Sequence, residues 1–252
     1  MKKLRKIRCF TLVAAMLLFP VVLYYLSPVL IINAAFSHTV NGSFIVFCLM
    51  TVLSIPFGRV FCAYLCPAGG IQECLFRVQD KPAGSRKLGR LKYVIWAVWL
   101  TAVICCYAVN GITAVDPVYM TFHGISVTDI QSYIIYYGIV TLIVIPSLIG
   151  GRRAFCRYIC WMAPFMVLGT RLRRALHLPG LTIKAKPEGC LSCGKCTRAC
   201  PMSIDVANEM RRGSITDNEC IQCGECIHSC PAKLLEYAMI RERKDTDERK
   251  EA

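Results

Sequence analysis

The sequence predicts a membrane all-α four-helix bundle, made of two duplicated two-helix units, followed by a small α+β cysteine-rich module. Three observations predict it. The chain is 55% hydrophobic, it contains four long apolar stretches, and two cysteine runs near its C-terminal end repeat one another.

The apolar stretches run over residues 9–33, 40–57, 93–109 and 132–149, each long enough or nearly so to cross a hydrocarbon core that needs about 20 helical residues. The first follows Lys2, Lys3, Arg5, Lys6 and Arg8, as a signal peptide would. Its apolar run exceeds the 7 to 15 residues or so of such a peptide, so it reads as an uncleaved anchor. Pro28 and Pro56 are placed near helix ends, or mark kinks within the bundle. None of the four stretches contains Asp, Glu, Lys or Arg, which speaks against an ion or proton pathway.

The formal charge of +14 raises the question of nucleic acid. The basic residues crowd into 1–8, 58–92 and 152–174, whereas the 181–240 segment has seven basic and seven acidic residues. A nucleic-acid footprint would sit on the soluble module, so the charge reads as membrane topology instead. It places both termini and the 58–92 connection in the cytoplasm, and the 34–39 and 110–131 loops outside. The expected location is the inner (cytoplasmic) membrane, multi-pass.

An internal repeat with an offset of 94 residues aligns Arg59-Val60-Phe61-Cys62-Ala63-Tyr64-Leu65-Cys66 with Arg153-Ala154-Phe155-Cys156-Arg157-Tyr158-Ile159-Cys160. Each copy follows a pair of apolar stretches, so both fall on the same face. Cys62 and Cys66, and again Cys156 and Cys160, are spaced i and i+4, which on a helix puts each pair on one side. Two such pairs are a candidate for a further metal or redox site at the membrane edge; buried apolar cysteines are the alternative.

The strongest pattern comes next. Cys190-x2-Cys193-x2-Cys196-x3-Cys200-Pro201 recurs 30 residues later as Cys220-x2-Cys223-x2-Cys226-x3-Cys230-Pro231. Three thiolates at every third residue wrap three corners of an iron–sulfur cubane, and the fourth cysteine of such a run ligates the other cluster. Two [4Fe-4S] clusters are therefore expected, one on Cys190, Cys193, Cys196 and Cys230, the other on Cys220, Cys223, Cys226 and Cys200. Paired zinc sites would use two CxxC units across a longer gap. Gly194 and Gly224, equivalent in the two loops, would let backbone amides approach the cluster sulfurs. The domains expected are 1–180 (membrane part with both CxxxC motifs), 181–240 (two-cluster, bacterial-ferredoxin-like module) and 241–252 (charged tail).

With Phe61-Cys62-Ala63-Tyr64-Leu65-Cys66-Pro67 and the two cysteine runs in view, the chain resembles the NapH-like membrane ferredoxin-type proteins, the membrane component of a quinol dehydrogenase, and is similar to NosR-like and MauN-like proteins. The second CxxxC motif departs from the pattern, with Trp161 in place of proline. The resemblance implies an electron-transfer subunit that relays electrons between membrane quinol or quinone and a partner redox protein. The alternative is an accessory factor in assembly or maturation of a metalloenzyme.

Overall fold

The structure, a computed structural model, describes residues 2–84 and 88–241. Most of the tail expected at 241–252, and residues 85–87 of the basic connection, lie outside the described residues.

The chain opens with α1 (Lys2–Leu17), α2 (Phe19–Val22), a 3-10 turn and α3 (Pro28–Phe36), then a short strand β1 (Thr39–Asn41) and α4 (Gly42–Phe57). Two short helices, α5 (Val60–Tyr64) and α6 (Pro67–Cys74), precede α7 (Leu91–Asn110), strand β2 (Ala114–Asp116) and α8 (Ile130–Gly150). The pattern then repeats as α9 (Ala154–Tyr158) and a longer α10 (Ala163–Ala175). Strand β3 (Gly180–Ala185), α11 (Lys195–Arg198), α12 (Val206–Met210), β4 (Ser214–Ile215), α13 (Glu225–Ser229) and β5 (Leu235–Ile240) close the described chain.

The expected four-helix membrane bundle is overturned. Among the described residues there are thirteen α-helices and two small sheets, and two helices, at 88–109 and 130–150, are long and apolar enough to cross a membrane. The first apolar stretch is broken by its prolines. Pro20 has no amide hydrogen to continue α1, and Ser27, which precedes Pro28, is extended at φ −91°, ψ 121°. The carbonyls of Pro20 and Val21 bond instead to the amides of Val127 and Ser126, both at 3.1 Å. The second stretch is a helix of 16 residues, capped by Asn41, whose side chain accepts from the Phe44 amide at 3.0 Å, and stopped at Gly58 with φ 63°. Pro28 is expected from the sequence near a helix end and Pro20 carries no such expectation; both break the first stretch.

Strands β1 and β2 pair in parallel and tie the loop before α4 to the loop after α7. Helices α4 and α10 cross closely at Gly169, where a Cβ would lie 2.5 Å from the Thr51 carbonyl. Beside that crossing Phe165 makes edge-on contacts with Phe47 and Trp99 at centroid distances of 5.0 and 5.7 Å. By contrast α7 and α8 present large apolar side chains outward, among them Val98, Ile104, Ile134 and Ile149.

The C-terminal part is an antiparallel sheet in the order β4-β3-β5, packed with α11, α12 and α13. It is joined to the helices by buried ion pairs. Glu219 lies between Lys92, whose Nζ donates to both carboxylate oxygens at 2.6 and 2.7 Å, and Arg59, at 3.1 Å. Arg8 pairs with Glu73 and, at 2.9 Å, with Glu225. Arg157 donates to the Met202 carbonyl at 2.5 Å, and Arg174 to Asn218 at 2.8 Å and the Thr216 carbonyl at 2.7 Å. Several cations read from the sequence as a membrane rim are thus buried partners of the module.

Burial works against the Glu219 carboxylate, but Arg59 and Lys92 outweigh it and hold its pKa below the usual 4.5. Its contribution to stability is therefore complete above that value and is lost as the pH falls through the lower value of the folded state. Glu219→Gln leaves two buried cations short of a counter-charge, a change that costs about 3 kcal/mol. We expect a lower melting temperature at pH 7 and a flattened acid limb in the pH–stability profile, both read by differential scanning fluorimetry.

Candidate metal centre

The two cysteine runs fold as copies. Residues 192 and 222, 194 and 224, and 203 and 233 all have positive φ, with Gly194 at 66° and Gly224 at 77° opening α11 and α13. Matching backbone bonds recur: Arg198 and His228 donate to the carbonyls of Gly194 and Gly224, both at 3.1 Å, and Ser203 and Lys233 donate to those of Cys200 and Cys230. The glycines are needed first for this left-handed turn, a reason additional to the close amide approach expected from the sequence.

Each loop then contributes three cysteines to one cavity and its last cysteine to the other. Cys220, Cys223, Cys226 and Cys200 line an almost wholly apolar cavity with Ile183, Ile215 and Ile221. Cys190, Cys193, Cys196 and Cys230 line a second, with Leu191, Met210 and Leu234. Their empty volumes match closely, at about 320 and 360 Å³. The two differ in setting. Cys190 and Cys193 are exposed, whereas Cys200 and Cys226 are buried and Cys220 and Cys223 half-buried, on the side that meets the helices. We call these the outer and inner sites.

The donor set fits an iron–sulfur cluster. Burial pushes the Cys223 thiol up to about 11, Arg8 counters this, and Cys200 adds to it. Cys220 and Cys226 are likewise raised by burial and by the neighbouring sulfurs. Four such thiols stay protonated without a cationic centre among them, and an iron core supplies that charge. Among the described residues no group of three or more His, Cys, Asp or Glu converges where a single ion could be held. A zinc site with Zn–S bonds of about 2.3 Å needs such convergence, whereas a cubane takes ligands spread around its own volume.

The structure also brings Cys62, Cys66, Cys156 and Cys160 together in the core, but not as expected. Helices α5 and α9 end before the second cysteine of each pair, and Cys66 is extended at φ −81°, ψ 117°. Neither pair therefore shares a helix face. Cys156 is the acidic member, its sulfur hydrogen-bonded to Cys160, facing Arg153 and accepting from Gln72 at 3.0 Å, while Cys160 is pushed up. Cys62 bonds to the Met166 sulfur at 3.8 Å. No single-ion group converges at these four cysteines among the described residues, so a third metal ion there is not supported.

The residues that sequence reasoning missed are the charged groups between these cysteines and the inner site. Arg59 and Arg153 are buried, and among the described residues Nε and Nη2 of Arg59 and Nε of Arg153 find no hydrogen-bond partner. Both arginines stand at equivalent places in the 94-residue repeat, which was the available signal. Glu73 and Glu219, which bind them, recur in no motif.

Comparisons with known proteins agree with this chemistry. Residues 182–231 match a 4Fe-4S dicluster domain, and residues 42–90 and 134–179 match a 4Fe-4S binding domain. The chain is similar to the uncharacterized protein MJ0750 of Methanocaldococcus jannaschii, 25% identical over 64% of this chain and 66% of that protein. It is similar to the putative electron transport protein YccM of Escherichia coli, 25% identical over 62% and 44%. It is also similar to the methylamine utilization ferredoxin-type protein MauN of Paracoccus denitrificans, 28% identical over 57% and 48%. The matches thus span between 44 and 66% of the length of these relatives. No solved structure matches the chain.

Alanine at Gly224 meets both the left-handed φ and a collision with the Tyr237 hydroxyl, while at Gly194 the nearest atom is the flexible end of Arg198 at 3.4 Å. The backbone term costs about 1 to 2 kcal/mol at either site. Gly224→Ala should therefore lose more bound iron than Gly194→Ala, as measured by iron assay on anaerobically purified protein.

Proposed function

We propose that this chain is a membrane-bound iron–sulfur electron-transfer protein that relays electrons between the quinol pool and a partner redox protein. Cys190, Cys193, Cys196 and Cys230 hold the outer [4Fe-4S] cluster; Cys200, Cys220, Cys223 and Cys226 hold the inner one. The observation that carries this reading is the pair of like-sized, four-cysteine cavities, one facing solvent and one facing the helices. When bound, each cluster supplies a one-electron carrier.

The chain's own residues do the rest. Ile183, Ile215 and Ile221 keep water from the inner site, and Cys200 and Cys230 cross between the two loops so that each site draws its fourth thiolate from the other loop. In this reading residues 1–180 are the platform, 181–240 the two-cluster domain and 241–252 a charged tail. Helices α7 and α8, apolar on their outer faces, sit in the inner membrane with the cysteine-rich end at the cytoplasmic face.

A cleft of about 590 Å³ between α1, α6 and the cysteine module suits an amphiphilic quinol. Its lining combines Leu12, Met16 and Phe76 with charged groups such as Arg8 and Glu73, and includes Pro201 and Ser229, chain neighbours of Cys200 and Cys230. The relatives named for electron transport and as ferredoxin-type favour the same reading.

Anaerobically purified protein should contain about 8 Fe per chain and give the EPR of two interacting cubanes on reduction. Because of the crossed ligation, Cys200→Ser should disturb the inner site and spare the outer one, leaving about 4 Fe. Menaquinol or ubiquinol added in liposomes should reduce the clusters, at potentials that permit transfer. Clusters that stay oxidised would remove quinol from the reading.

A further inference from the structure

Arg153 is held at a cost that a surface cation would not require. Its side chain is fully buried, and its backbone is left-handed at φ 48°, ψ 35°, an unfavourable conformation for a residue with a Cβ. Nη1 donates to the Cys62 carbonyl at 2.9 Å and Nη2 to Glu73 at 2.7 Å, while Nε finds no partner among the described residues. Gly69 clears the space: a Cβ there would lie 3.0 Å from Nη2.

The guanidinium also stands between two sets of sulfurs. Glu73 binds Arg8 as well, and Arg8 binds Glu225 at 2.9 Å, in the loop between Cys223 and Cys226. An alternating chain of charges, Arg153–Glu73–Arg8–Glu225, thus runs from the core cysteines to the inner site. Cys156, Cys66 and Cys223 all lie within reach of the charge of Arg153. Beside the outer site, Lys195 and Arg198 stand on α11, next to Cys190 and Cys193 that are open to water. Solvent screens charges there, whereas a buried charge acts at low effective dielectric.

We infer that Arg153 is a positioning residue for electrons: its fixed, buried charge raises the reduction potential of the inner site above that of the outer one, so that an electron given to the pair settles next to the helices. The transfer moves one electron. With both clusters bound, the outer site would be oxidised by one electron and the inner one reduced by one, with no proton transferred. Burial alone would act the other way, since it disfavours the more negative reduced state. The buried cation decides the sign. This rests on the two-cluster reading proposed above.

The test is an EPR-monitored redox titration, with dithionite as reductant, of the full chain in detergent, with iron assayed for each variant. In the unmodified chain the inner site, identified by its absence in Cys200→Ser, should have the higher potential. Arg153→Gln should lower that potential so that the inner-to-outer electron ratio at half reduction falls at least tenfold, equivalent to 59 mV for a one-electron couple. The outer potential should stay in place. Arg153→Lys should recover most of the shift, and Glu73→Gln, which removes a neighbouring anion, should move the inner potential upward.

A merely structural role would not give opposite signs for Arg153→Gln and Glu73→Gln. With about 8 Fe retained, unchanged potentials in Arg153→Gln, or shifts of the same sign in both variants, overturn the inference. If Arg153→Gln loses iron, Glu73→Gln decides: an unmoved or lowered inner potential overturns it. Fewer irons in the unmodified chain would instead fell the two-cluster reading, and this inference with it.

Discussion

The half-buried carboxylate of Glu219 is the constraint on which the arrangement of this molecule depends. It precedes Cys220 in the chain and binds Lys92 at the start of α7 and Arg59 at the start of the first copy of the repeat. One side chain therefore fixes the inner cysteine loop against two helical segments. The desolvation of three charges is offset only because their geometry is close. Moving the loop by a single turn would leave two cations buried without a partner. Arg157, Arg174 and Arg8 add contacts around the same seam, so the cysteine module is held as part of the helical body.

The cysteine chemistry was legible in the sequence because ligand spacing is a local property. Three thiols at every third residue dictate a wrapping loop wherever they occur, and the repeat at 30 residues says that two loops fold alike. The matching positive φ angles at 192 and 222, 194 and 224, and 203 and 233 are the structural counterpart of that repetition. The CxxxC pairs were less legible. Their spacing implied a shared helix face, but Leu65 and Ile159 end the short helices first.

The helical part was misread where composition was asked to do the work of stereochemistry. Pro20 and Pro28 are as apolar as their neighbours, so hydropathy runs straight through them, yet each forbids the local helix to continue. The basic residues posed the opposite problem. Lys and Arg beside apolar stretches follow the pattern of membrane topology, and a count cannot separate a solvated cation from one folded inward. Arg59, Lys92 and Arg153 belong to the second kind. Their partners lie far away in sequence, where no spacing rule reaches.

The longest of those reaches has a consequence for biogenesis. Arg8 and Glu225 are separated by 217 residues, and Arg8 is only 6% exposed in the finished fold. During synthesis the first helix emerges long before its second carboxylate exists, so its guanidinium must wait in a solvated, undocked state. Closure of such a high-contact-order pair comes late and slowly. The groove between α1 and the cysteine loops therefore stays open to the end of assembly. Until Arg8 meets Glu225, the inner cysteine loop lacks that ion pair with α1.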